Sequence, residues 1–209
     1  LCTVQVDAGI FTDAAGNPNL ESEAFTWTYD GIAPTMTIST SDVTLGEQSN
    51  ASSISLTFTS GETTSNFEMG DITRTNGNIT AFSGSGRTYT ATFTPTDQGL
   101  CEIYVEAGTF TDGAGNANAK SDIFSWTYDS TPPTITGTTV VADNSTIAVT
   151  FSEAVFNATG GSGTLETSDF TLSISGESAT VAATPSSISS SGNVYTLGLF
   201  LAGTPNGSE

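Results

Sequence analysis

The chain has no histidine, and its 209 residues hold three positive charges, Arg74, Arg87 and Lys120, against 22 Asp and Glu. Three cations cannot neutralise a run of phosphates or hold an anionic bilayer surface, so nucleic-acid binding and anionic-membrane binding are excluded, and no direct membrane insertion is expected. Without imidazole there is no Ser/His or Cys/His catalytic pair, no His-based metal site and no ordinary general base near neutral pH. Cysteine is limited to Cys2 and Cys101, and proline to seven residues. No apolar run reaches the ~18 residues that a spanning helix needs. No basic-plus-apolar leader opens the chain, which reads as an internal piece of something longer. What is abundant is Thr (38) and Ser (27), together with 12 Phe, 5 Tyr and 2 Trp. Disordered acidic chains lack such β-branched and aromatic residues, so a folded, β-rich protein is expected.

An internal repeat organises the chain. Residues 1–37 align without gaps on residues 100–136, with 21 identities in 37 positions. Phe11-Thr12-Asp13 recurs as Phe110-Thr111-Asp112, Gly16-Asn17 as Gly115-Asn116, and Trp27-Thr28-Tyr29-Asp30 as Trp126-Thr127-Tyr128-Asp129. The 99-residue offset suits a small β-domain and not a solenoid unit. Residues 31–129 then form one complete module. Residues 1–30 read as the C-terminal strands of a preceding one, and residues 130–209 as the N-terminal part of a third, diverged one. In that third module Thr150-Phe151-Ser152-Glu153 parallels Thr57-Phe58-Thr59-Ser60. Likewise, Ser191-Gly192-Asn193-Val194-Tyr195-Thr196 parallels Ser85-Gly86-Arg87-Thr88-Tyr89-Thr90. Residues 1–30 are expected to complete residues 131–209 of a neighbouring copy, or to continue a longer polypeptide.

Within 31–129 the apolar residues alternate with polar ones: Ile54, Leu56, Phe58; Tyr89, Ala91, Phe93; Cys101, Ile103, Val105; Phe124, Trp126, Tyr128. Turn signals such as Asn76-Gly77 and Asp97-Gln98-Gly99 separate these runs. About seven short strands, each with one apolar face, predict an all-β sandwich of two antiparallel sheets. The aromatic rows Phe25, Trp27, Tyr29 and Phe124, Trp126, Tyr128 are expected to face the core, with carbohydrate stacking as the alternative.

The stretch from Asp71-Ile72-Thr73 through Phe110-Thr111-Asp112 to Trp126-Thr127-Tyr128-Asp129 resembles the tandem immunoglobulin-like (Ig-like) domains of large bacterial surface proteins. Pro132-Pro133 and Phe151-Ser152-Glu153-Ala154-Val155 resemble a related subtype. The resemblance implies tandem Ig-like β-sandwich modules with Greek-key sheets, an extracellular or cell-surface setting, and no catalytic residues.

Candidate sites are few. The loops Asp13-Ala14-Ala15-Gly16-Asn17 and Asp112-Gly113-Ala114-Gly115-Asn116 offer hard oxygen ligands for Ca²⁺, with Asp30 and Asp129 as further ligands at module boundaries. The same pattern is also an ordinary turn signature. Cys2 and Cys101, one per repeat, are either buried thiols or cross-links to another chain or module. Five Asn-x-Ser/Thr sequons, at Asn50, Asn78, Asn144, Asn157 and Asn206, become glycan sites in a eukaryotic secretory pathway. The acids fall mostly in turns and on outward strand positions, with Glu153 at a strand end, so no carboxylate pair is assigned hydrolytic chemistry.

These features point to a non-enzymatic structural segment of a long extracellular protein, forming a filament or stalk whose partners are copies of itself or neighbouring modules. The alternatives are an adhesin whose modules space or bind a surface glycan or receptor, and an accessory region of a secreted polysaccharide-degrading enzyme.

Overall fold

The computed structural model describes residues 1–158, 160–175 and 179–203. It is all-β apart from two short 3-10 turns, and the chain divides into two compact units, Leu1–Ser130 and Thr131–Glu209.

The first unit opens with β1 (Cys2–Val4) and β2 (Phe25–Trp27), an antiparallel pair in which Cys2 faces Trp27 and Val4 faces Phe25. There follow β3 (Met36–Ser39), β4 (Gln48–Ser49), β5 (Ile54–Thr64), β6 (Ile72–Thr75), β7 (Gly77–Pro95), β8 (Gly99–Val105) and β9 (Phe124–Tyr128). The seven strands β3–β9 make two sheets, ordered β3-β5-β7 and β4-β9-β8-β6. These are the two layers that the alternating pattern predicts. Ile54, Leu56 and Phe58 of β5 stand opposite Phe93, Ala91 and Tyr89 of β7, and all six are buried. From the other sheet Cys101, Ile103, Val105 and Trp126 close the core and are fully enclosed. Phe67, from the loop after β5, sits among the rings of Phe58, Phe82, Tyr89 and Phe110 at centroid distances of 5.1–5.8 Å. One pairing departs from the antiparallel expectation. The two-residue strand β4 runs parallel to β9, with Gln48 beside Thr127 and Ser49 beside Tyr128. So short a strand carries no alternation by which its direction could be read.

Residues 1–30 repeat the hairpin of residues 100–129, with the same turn hydrogen bonds and a shorter ladder. Cys2 faces Trp27 as Cys101 faces Trp126. The Val6 amide donates to Ser22 Oγ at 3.0 Å, and the Val105 amide to Ser121 Oγ at 2.9 Å. Gly16 and Gly115 take φ of 88° and 94°, left-handed values that favour glycine and that let each loop turn back on its Asp. The packing differs entirely. No residue of 1–30 belongs to the core, whose members run from Met36 to Trp126. The expectation that Phe25, Trp27 and Tyr29 face a core is therefore corrected: all three are exposed, because no second sheet lies over β1 and β2. In the other row Trp126 is buried, while Phe124 and Tyr128 are half-buried.

The second unit comprises β10 (Ile135–Val140), β11 (Thr146–Phe151), β12 (Ala179–Val181), β13 (Ile188–Ser191), β14 (Val194–Gly198) and β15 (Leu201–Gly203). Its main sheet is ordered β10-β11-β14-β13, and β12 pairs with β15. Three details match the first unit. Strands β10-β11-β14 are antiparallel neighbours like β3-β5-β7. The 3-10 turn 167–169 carries the cap Glu166/Asp169 as the turn 69–71 carries Glu68/Asp71, Asp169 and Asp71 accepting the Glu166 and Glu68 amides at 2.8 Å. Tyr195 donates to the Val155 carbonyl at 3.4 Å much as Tyr89 donates to that of Thr64 at 3.0 Å. With Tyr195 as the counterpart of Tyr89, the cross-strand neighbour of each shows that Val149, and not Phe151, stands where Phe58 does. The expected equivalence of Phe151 and Phe58 is thus two residues out of register. A two-residue slip preserves the side-chain face, so alternation alone does not detect it.

Candidate functional site

The best-formed polar constellation lies in the loop between β8 and β9. Asp112 is buried, and its carboxylate organises the loop: Oδ1 accepts the amides of Ala114 (2.9 Å) and Asn116 (2.8 Å), and Oδ2 accepts Asn116 Nδ2 (2.8 Å). These bonds hold its carboxyl below the usual range, the Asn116 side chain contributing most. Asp13 makes the same three bonds to Ala15 and Asn17, and is likewise lowered. The rim of the loop is set by Asn118, a buried residue that the sequence reading passed over. Its Oδ1 accepts the Thr109 and Phe110 amides, and its Nδ2 donates to the Glu106 and Ala119 carbonyls. Asn19 stands in the equivalent place.

Of the six expected Ca²⁺ ligands, the fold gathers Asp30, Asp112 and Asn116. Carboxylate oxygens of Asp30 and Asp112 lie within 4.8 Å of each other and of Glu62, which reaches them from β5. Glu62 lies too far away in sequence for any local motif to announce it. Asn116 joins the group through its side chain, donating to the Asp30 carbonyl at 3.2 Å and to Asp112. Asp13 and Asn17 are bonded to one another instead, and Asp129 lies outside the three-carboxylate group. A Ca²⁺ ion takes six to eight oxygens; the three carboxylates carry six between them, and those of Asp112 already accept three N–H groups. Glu62 registers the crowding: its carboxyl is pushed up by its partly desolvated position and by the charges of Asp30 and Asp112, against a smaller pull from Arg87.

The three cations are engaged locally. Arg74 bonds the Ile72 carbonyl and Arg87 the Ser60 carbonyl, while Lys120 pairs with Glu106 at 3.0 Å and lies over the Tyr104 ring. Cys101 is enclosed, its thiol bonded to Asn76 and pushed up by burial, so a cross-link from it would require an opened core. Cys2 is half-buried, and both thiols are free. The sequon residues Asn50, Asn78, Asn144 and Asn157 are exposed; Asn206 lies outside the described residues.

Two facing antiparallel-rich sheets, seven strands and a core closed by a Cys/Trp ladder define an Ig-like β-sandwich for the main body of the first unit. Residues 30–128 match the family model of the bacterial Ig-like domain. Domains of this family are typically non-catalytic. Comparisons with curated proteins and with solved structures give no match. Among the described residues, no helix is long and apolar enough to cross a membrane.

Proposed function

We propose that the chain is a structural segment of a long extracellular protein, in which Ig-like modules extend a surface stalk or filament. The observation that carries this reading is the recurrence of one hydrogen-bonded hairpin at a 99-residue spacing, once inside a complete sandwich and once ahead of it. Repetition of a module that holds no assigned chemistry multiplies length and stiffness, not catalysis. The acidic surface supports the same reading. Residues 1–30 carry five acids and no base, residues 31–129 eleven acids and three bases, and residues 130–209 six acids and no base. Charge spread over every segment keeps an elongated polymer soluble.

Load-bearing is directly measurable. Stretching the single chain should give an unfolding step for the 31–129 module of roughly 30 nm, the contour length of about 99 residues less its folded span. A chain that extends without such a step refutes the mechanical role. The adhesin reading is favoured instead if the intact chain is retained on a glycan array or on cell-surface protein.

A further inference from the structure

Inside the complete module, the edge of one sheet runs beside an apolar groove. Among the described residues, β3 ends the order β3-β5-β7 and pairs with β5 alone. The Thr35 carbonyl accepts the Gly61 amide at 2.9 Å. Antiparallel pairs alternate between bonded and non-bonded, so Thr37 and Ser39 exchange their bonds with Thr59 and Thr57. The backbone N–H and C=O groups of Met36 and Ile38 therefore point away from β5, along the open edge. Such an edge is a template for one more strand unless charge, proline or a bulge blunts it. Met36-Thr37-Ile38-Ser39 carries none of these.

The groove holds about 220 Å³ and lies between Met36 and Ile38 of β3 and Leu45, Ile123 and Phe124, with Asp122 in its wall. Pockets that take small ligands hold about 300–1,000 Å³, so this one has room for a side chain or two and not for a whole ligand. Leu45 and Ile123 are 65% and 44% exposed. Asp122 is exposed too, and the one ion pair among the described residues, Lys120 with Glu106, leaves its carboxylate without a cation. Arg74 and Arg87 are bonded to the Ile72 and Ser60 carbonyls. Apolar walls, an open strand edge and uncompensated negative charge thus meet in one place. Their complement is an extended segment whose apolar side chains are flanked by lysine or arginine. A second copy of this chain is a poor source of such a segment, with a net charge of −19 and three cations, all engaged.

We propose that the β3 edge captures an extended basic–apolar segment of another protein as an added strand. The segment bonds the outward backbone groups of Met36 and Ile38 and sets an apolar side chain in the groove. A long cationic side chain reaches back to Asp122. Four residues of edge make a small, reversible contact. This site goes beyond the stalk reading and does not depend on it.

The test uses the full chain, isotope-labelled for NMR, and three synthetic heptapeptides. One alternates Val and Lys, the second is the same peptide with its amides N-methylated, and the third alternates Val and Glu. The Val–Lys peptide should bind saturably. At about ten times its Kd it should slow hydrogen exchange of the Met36 and Ile38 amides about tenfold. Thr37 and Ser39, already bonded to β5, should not change. The other two peptides should bind about tenfold more weakly, the loss expected when a pair of hydrogen bonds goes unmade or like charges meet. Asp122→Asn should weaken the Val–Lys peptide about threefold at low salt and not at high salt. Ile123→Ser should weaken it at both. Both replaced side chains are exposed, so neither variant threatens the fold. No saturable binding at millimolar peptide overturns the proposal. So does equal binding of either control peptide, protection that falls outside Met36 and Ile38, or full affinity in Ile123→Ser.

Discussion

Trp27 and Trp126 occupy the same place in the same ladder, each directly opposite a cysteine, yet Trp126 is fully enclosed and Trp27 is about half exposed. The difference lies in what is stacked above them, since each stands in the same cross-strand pairing. Trp126 packs edge-on against Phe93 with ring centroids 4.9 Å apart. Truncation of that ring, Trp126→Ala, should cost about 3–5 kcal/mol, the usual toll for emptying an aromatic site in a core. Trp27→Ala should leave the dilute monomer within about 0.5 kcal/mol of wild type, as surface changes do. Urea unfolding of the two variants provides the comparison. A large cost at Trp27 would mean that its face is already covered in the monomer.

Asn118 gives a second contrast between the repeats. Replacing it with alanine strands the buried Phe110 amide and removes the bonds to the half-buried Thr109 amide and to the Glu106 and Ala119 carbonyls, and should destabilise the domain by about 2 kcal/mol. Asn19→Ala removes bonds to the Phe11 amide and the Asp7 and Leu20 carbonyls, in a loop whose groups are open to water, so solvent replaces them at little cost. Equal losses in thermal unfolding would contradict this account.

Much of this fold is legible in the sequence because a half-buried strand writes its face at every second residue. Ile54, Leu56 and Phe58, and Cys101, Ile103 and Val105, all point inward as the alternation requires. The rest depends on distance. Whether Trp27 is covered is decided by a sheet that the hairpin cannot specify, and identical local sequence therefore yields opposite burial. The parallel β4–β9 pair rests on two residues, too few to show a period. Glu62 meets Asp30 and Asp112 only through folding, and Phe67 enters the core from a loop without alternation. At the acidic site the loop's turn chemistry was readable, while the carboxylate that completes the cluster was not.

The two thiols should separate cleanly in reactivity. Burial raises the Cys101 thiol, and the core shields it, so its thiolate is scarce and out of reach. Cys2 is half-buried on an uncovered strand. A thiol-exchange reagent should titrate one thiol per chain in the native state and two in denaturant. Labelling of Cys101 at the native rate of Cys2 would show that the sandwich opens readily.

Carboxylates on the loop should pull the pH dependence of stability in opposite directions. Glu62 has a folded-state pKa above its ordinary value, so the folded protein binds that proton more tightly than the unfolded chain does. Its favourable contribution is complete below the ordinary carboxylate range and is lost as pH rises through the raised value. Asp112 is the reverse. Its folded-state pKa is lowered, so its contribution is complete above the ordinary range and is lost as pH falls through the lowered value. Glu62→Gln should therefore raise the melting temperature modestly at neutral pH, the gain shrinking with salt, because the opposing charges of Asp30 and Asp112 are screened. The gain should vanish in acid, where wild-type Glu62 is protonated in both states. Asp112→Ala should lower the melting temperature at neutral pH, and the deficit should narrow toward the acidic end. Melting curves for the three proteins from about pH 3 to about pH 7, spanning the carboxylate range, decide the matter. A Glu62→Gln gain that persists unchanged at the acidic end would assign it to packing and remove charge crowding as its cause.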